Sequence, residues 1–303
     1  MTIFRSTNAA TLQKTLDGII DDKADKIESG LYYRKWMAEE TIDGAYSDYQ
    51  EYAGPGYAYQ IPEGTEVPEA GMFQGPMTRF MPNKYGLRMI ITEEAIEDCK
   101  YKEVIDLARR NKRAVWKTVE VTAHDILNRM FNTSYPLADG LPLGSASHIL
   151  PNGGTASNVM STPLSPSITA LSTAVTDLMK MVGHDGTIEG YQAKRIVCPA
   201  DQWAVWKGIL GSADSPETYQ GINVVSKAHL GIEGDPVATP WWNSSATQWA
   251  VQTDCDNRPT KVWNRKPRGK TYVDEPHECM VYSSTARWDD GCADYRTFYC
   301  VEA

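Results

Sequence analysis

The sequence predicts an α+β protein: an extended two-stranded limb, then one long helix, then a compact α/β lobe. Three observations carry this. Residues 44–86 hold five prolines and seven glycines, which forbid a helix there. No proline or glycine interrupts 93–131, where apolar residues recur at helical spacing. Between 165 and 271, short apolar runs alternate with helical patterns, the mark of mixed layers around a core.

The bulk numbers leave room for this plan. The 303 residues suffice for two domains or one elaborated one, and 42% of them are hydrophobic. That content excludes a disordered chain, and no run of about 18 apolar residues marks a membrane span. The first eight residues lack the basic-then-apolar layout of a secretory signal. Thirty Lys and Arg face 39 Asp and Glu, a net charge of −9, which argues against a sequence-reading nucleic-acid domain. The six cysteines form no CxxC pair, so a structural zinc site or disulfide scaffold is not expected and a reducing cytoplasm is the default.

Element by element, Leu12, Leu16, Ile19, Ile20, Ala24, Ile27 and Leu31 trace one stripe of an amphipathic helix over 8–31. In 44–86, Tyr46, Tyr49, Tyr52, Tyr57 and Tyr59 favour extended chain, giving a protruding two-stranded loop with its tip near Gly64. Two strands alone are barely stable in water, so this loop is expected to lie on a partner. It returns through a strand with Tyr85, Leu87, Met89 and Ile91 on one face. Thr92 caps the long helix, whose first turns carry Glu93, Glu94, Glu97 and Asp98 at the positive end of the dipole. Continuous over 93–131, that helix would be about 58 Å long, a spine rather than a core element. A Gly, Pro and Ser-rich boundary covers 133–165, and Ser165-Pro166 opens a helix with Ile168, Leu171, Val175, Leu178 and Val182 inward. Apolar runs follow at 195–198, 222–226, 249–253 and 261–263, with a helix over 199–210 on which Trp203 and Trp206 share a face. Glu278–Trp288 and Cys292–Val301 read as a terminal hairpin turning at Asp289-Asp290-Gly291.

Chemistry is sparse. The five histidines are isolated from one another, and neither HxxxH spacing nor a nucleophile elbow or phosphate loop occurs, so no catalytic residue, cofactor or metal is assigned. Ser145 and His148 sit in a flexible Gly/Pro segment, where a nucleophile would lack a rigid turn. Asp289 and Asp290, with nine tryptophans in the chain, invite a carbohydrate-active hydrolase, but a catalytic pair needs about 5–9 Å across a substrate.

Charge patterning says more. From Trp36 to Asn83 there is one cation, Arg79, against eight acids that include Glu51, Glu63, Glu66 and Glu69. The spine carries Arg109, Arg110, Lys112, Arg113 and Lys117 without an intervening acid, and 258–270 adds Arg258, Lys261, Arg265, Lys266, Arg268 and Lys270. An acidic arm and basic strips on one chain fit repeated subunits, each arm lying on the next. Solvated faces, and nucleic-acid contact by the spine cluster, are the alternatives.

This order of elements resembles the major capsid proteins of tailed bacteriophages, the Hong Kong 97-type (Johnson) fold, and is similar to the Mu-like head-subunit group. The resemblance covers nearly the whole chain. It rests on Lys84–Asp98 (KYGLRMIITEEAIED), on Gly234–Trp242 (GDPVATPWW) leading into Trp249-Ala250-Val251, and on Ala286–Arg296 (ARWDDGCADYR).

The resemblance implies a non-enzymatic shell subunit forming pentamers and hexamers of an icosahedral head around packaged DNA. It implies an N-terminal arm over 1–43 and an extended loop over 44–91. A peripheral domain would join 92–135 to 272–303, with an axial domain over 136–271. Glu51, Glu63, Glu66 and Glu69 would meet Arg109, Arg110, Arg113, Lys117, Arg265, Lys266 or Arg268 of a neighbour. Portal and decoration proteins would be further partners, and the virion, assembled in the bacterial cytoplasm, the location. With the loop starting near residue 44 there is no room for a cleaved scaffolding segment, so a separate scaffolding protein is expected. The loop has no lysine before Lys84, so the shell is expected to be noncovalent. An encapsulin-like nanocompartment is the alternative within the same fold.

Overall fold

A computed structural model describes residues 30–54, 56–69, 71–98, 101–211, 223, 225–277 and 279–302. The amphipathic helix expected over 8–31 lies almost wholly outside them.

Besides the limb's β2 (Ser47–Ala53) and β3 (Phe73–Phe80) and a short pair, β5 (His148–Ile149) with β6 (Thr155–Ala156), the described residues form two four-stranded sheets. The first is ordered β1 (Ala38–Thr41), β10 (Thr260–Asp274), β11 (Cys279–Gly291), β4 (Asn83–Thr92). β10 and β11 pair antiparallel, β4 extends the sheet beside β11, and β1 runs parallel to β10. On β4, Met89 and Ile91 are buried and Tyr85 half-buried, as their alternation predicts, whereas Leu87 is exposed. The spine helix lies across this sheet. Its long part is Tyr101–Asn128, about 42 Å in length, preceded by a short helix at Glu93–Glu97 that gives way to a turn at Asp98. The expected helix over 93–131 thus starts at Glu93 as expected but ends at Asn128, and among the described residues it is interrupted at Asp98. Residues 129–131 are turn, and the Asn128 side chain accepts from the N–H groups of Asn243 and Ser244 at 2.9 and 3.1 Å, tying the helix end to a loop.

The second sheet has the order β12-β9-β7-β8, where β7 is Ala193–Pro199, β8 Val237–Thr239, β9 Trp249–Thr253 and β12 Phe298–Val301. Every residue of β9 and β12 is buried, as expected for strands covered on both faces. One cover is the helix Ile168–Met179, whose N-cap is Ser167 rather than Ser165: its side chain accepts the Ala170 N–H at 3.0 Å. The helix Trp203–Gly211 buries Trp206 against Trp249 but leaves Trp203 outside, so the two tryptophans do not share an environment. Of the run at 222–226, the described residues 223, 225 and 226 form no strand.

The expected terminal hairpin is not formed. β11 runs straight through Asp289 and Asp290 and pairs with β10 and β4, while β12 crosses to the second sheet and pairs with β9. The turn signal at Asp289-Asp290-Gly291 is overridden by tertiary partners. Asp289 accepts the Met81 N–H at 2.8 Å, Asp290 pairs with Lys261, and a Cβ on Gly291 would meet the Phe80 ring at 2.5 Å. In sheet membership, 260–271 goes with β4 and β11, and 298–301 with β7 and β9.

Aromatic packing and buried charge join spine, sheet and N-terminal segment. Tyr85 stacks on Trp288 with centroids 4.1 Å apart, Trp263 packs between Trp288 and Trp116, and the Trp288 indole N–H donates to Thr122 at 2.9 Å. Lys261, fully buried, pairs with Asp290 and lies over the rings of Tyr33, Trp263 and Trp288. Glu120, buried on the spine, accepts the Tyr32 and Tyr33 N–H groups at 2.6 and 3.4 Å. Burial nevertheless pushes its carboxyl up to about 7, and pushes His124, one turn on, down to about 4.

Candidate functional site

The limb is where the subunit leaves its surface unfinished. β2 (Ser47–Ala53) and β3 (Phe73–Phe80) pair antiparallel, with a register shift between Gln50 and Tyr52. The root is well made. Ala53 and Phe80 are buried, Tyr49 packs edge-on to Phe80 at 5.1 Å, and the Arg79 guanidinium donates twice to Asp48 at 2.7 and 2.8 Å. Beyond Ala53 the chain leaves strand geometry and turns at Glu63-Gly64, where Gly64 has φ +82°, a left-handed conformation that suits glycine. Every described residue from 56 to 74 is exposed, including Tyr57, Tyr59, Val67 and Met72 at 70, 72, 71 and 77%. Apolar side chains this bare, strung on an extended ribbon, mark a surface made to be covered.

Glu63, Glu66 and Glu69 stand on this exposed tip. Glu51 does not. At the root it touches His184 and stands 3.4 Å from the guanidinium of Arg296, which is fully buried and donates to Val182 O at 3.1 Å. Asp294 completes the cluster, 3.1 Å from His184 and 3.2 Å from Arg296. Burial would raise the Asp294 carboxyl, but the His184 hydrogen bond and the Arg296 charge outweigh it and hold the group near 2. Glu51 therefore stands beside a buried cation of its own chain, unlike Glu63, Glu66 and Glu69. The cluster fastens the limb to the body.

The expected basic partners fall on two surfaces. Arg109, Arg113 and Lys117 follow at four-residue spacing along the exposed side of the spine, with Arg110 beside them and Arg109 3.3 Å from Asp106. Arg265 and Arg268 lie on the sheet face turned away from the spine. There the register brings Arg265 level with Arg287 and Lys84, and Lys270 level with Ser283 and Arg88. Burial, then the charges of Arg268 and Arg287, lower the pKa of Arg265. Sequence reading missed Lys84, Arg88 and Arg287, because pairing across three strands is needed to see one patch. Lys266 stands 3.9 Å from Glu39, so part of its charge is met within the chain.

The other sequence candidates are absorbed by the fold. Both aspartates of the hydrolase reading are engaged as described. His148 is buried, stacked on Tyr295 at 3.8 Å and bonded to Asp139 at 2.5 Å. Among the described residues, no three His, Cys, Asp or Glu side chains gather as a metal site.

The sequence profile of a family described as phage capsid protein matches residues 77–301. The chain belongs to this phage capsid family. As a capsid protein, it shares its fold with solved shells at low sequence identity. A virus-like particle from Pyrococcus furiosus is 10% identical with a TM-score of 0.54, the match covering 95% of this chain and 98% of that one. The procapsid of bacteriophage JBD30 gives 9% and 0.54 over 99% and 77% of the two chains. Mycobacterium phage Adephagia gives 10% and 0.53 over 87% and 84%. No curated protein matches. The family profile starts inside β3, so it covers the returning strand, spine and lobe but not the tip of the limb.

Proposed function

We propose that this major capsid protein closes into an icosahedral head of pentamers and hexamers, each limb draped over a neighbouring copy, around double-stranded DNA held without sequence preference. The exposure of every described residue from 56 to 74 carries this reading, since a stretch so bare does not form part of its own chain's core. The role is structural and needs no catalytic group. A separate scaffolding protein, a portal and a decoration protein complete the assembly, which takes place in the host cytoplasm and ends in the virion. Glu63, Glu66 and Glu69 supply the acidic side of the contact between copies.

Expression of the chain, with its scaffolding protein where one is encoded nearby, followed by electron microscopy tests this. Closed shells built from rings of five and six are expected; a strictly monomeric product under all assembly conditions overturns it. A second reading, a compartment without a genome, is favoured by the near-complete mutual coverage with the Pyrococcus virus-like particle. Nuclease-protected DNA inside particles from infected or induced cells separates the two.

A further inference from the structure

The tip of the limb needs a seat, and one concavity matches it better than the open basic faces. Where the turn Tyr33–Lys35 meets β7 and the loops before β8 and β10, a cavity of about 420 Å³ opens with Arg34, Lys35, Arg195 and Arg258 around it. Such crowding of cations is unexpected in a chain of net charge −9. Two of them have partners at hand: Arg34 pairs with Glu39 at 2.8 Å and Arg195 with Glu233 at 3.5 Å. Lys35 and Arg258 have no carboxylate within ion-pair distance among the described residues, and Arg258 lies close enough to Arg195 to lower its pKa, after the larger effect of burial. The one acid on the lining, Asp235, is shared with Lys207 and Lys227 at 3.7 and 3.9 Å. Trp36, Met37, Pro236 and Val237 complete the lining; all four are buried, so the surface the cavity offers is mostly polar.

We infer that this cavity is the seat for the Glu63–Glu69 tip of the limb of a second copy. The tip offers what the cavity lacks: three carboxylates in seven residues, Glu63 to Glu69, with no cation among them. Shape separates this occupant from packaged nucleic acid. A duplex is held through a run of phosphate contacts, for which the outer face of β4, β10 and β11 supplies Lys84, Arg88, Arg265, Arg268, Lys270 and Arg287, whereas a recess between loops admits a protruding turn. The inference rests on the shell reading and says where the limb goes.

Charge exchange tests it. K35E/R258E changes two exposed side chains, and E63K/E66K/E69K changes three. Each set alone should leave far-UV circular dichroism and the subunit melting temperature unchanged but cut the fraction assembled into shells about tenfold, and the combination should restore most of it. Sheet-face R268E/K270E serves as the rival acceptor. Restoration of E63K/E66K/E69K by R268E/K270E rather than by K35E/R258E overturns the seat, as do K35E/R258E shells at wild-type yield. A wild-type chain that never assembles overturns the shell reading itself, so the two failures are distinct.

Discussion

Glu120 and His124 sit one helical turn apart on the buried side of the spine, and their burial shifts their proton affinities in opposite directions. For Glu120 the folded state holds its proton up to about pH 7, while the unfolded carboxyl releases it near 4.5. Between those values the folded state binds more protons, so raising the pH removes stability. For His124 the folded ring stays neutral down to about pH 4, while the unfolded ring protonates near 6.5, so lowering the pH through that window removes stability. The two slopes oppose each other where they overlap. Glu120→Gln removes one of them, and the urea midpoint of the variant should rise with pH between about 4 and 6.5 more steeply than wild type; parallel profiles would show that Glu120 ionises freely. Lys261 makes the second case. Lys261→Met leaves Asp290 buried without its cation and should cost about 3–5 kcal/mol, whereas the double change with Asp290→Leu should recover much of it in denaturant titrations. Sequence reading did not single out Glu120 or His124, although with Trp116 they recur every four residues along one side of the spine. A charged group on an apolar stripe announces a buried partner without saying which one.

At the scale of elements, what could be read depended on how local the cause was. The spine was legible because no proline or glycine lies between 93 and 128, and the limb because its prolines and glycines exclude a helix. The terminal hairpin was misread because its turn signal is local and its refutation is not. Phe80 comes from the limb and Lys261 from 29 residues upstream of Asp290, and these two occupy the space a turn would need. Gly291 is the pivot. Its missing Cβ admits the Phe80 ring, so Gly291→Val should force that ring aside, loosen the root of the limb and lower subunit stability by about 1–3 kcal/mol. Thermal unfolding checks the loss. Proteolysis checks the cause, with faster cleavage within 56–69 in the variant than in wild type; unchanged stability and cleavage would mean the ring has free room to move.

At the scale of the whole molecule, a closed core and an open limb divide the labour between folding and assembly. The clusters that bury Trp36, Trp249, Trp263, Trp288 and Phe298 draw on the spine and both sheets, so the described body has a core of its own in one copy. The tip adds acidic and apolar surface that the body does not use. Folding and shell formation should therefore be separable. Replacing 56–69 by a short Gly/Ser turn joining the strands that end at Ala53 and begin at Phe73 removes only exposed residues. The melting temperature of the isolated subunit should shift by no more than about 2 °C, because almost no apolar area buried within the subunit is lost. Shell formation should fail altogether. Salt distinguishes which part of the tip matters. Exposed ion pairs contribute under about 1 kcal/mol each and are screened once the Debye length falls to about 3 Å near 1 M salt, whereas apolar contacts are not. If Val67 and the tyrosines carry the contact, intact shells should survive 1 M sodium chloride, and Val67→Asp should abolish assembly at any ionic strength. Shells that fall apart in salt while tolerating Val67→Asp would transfer the contact to Glu63, Glu66 and Glu69.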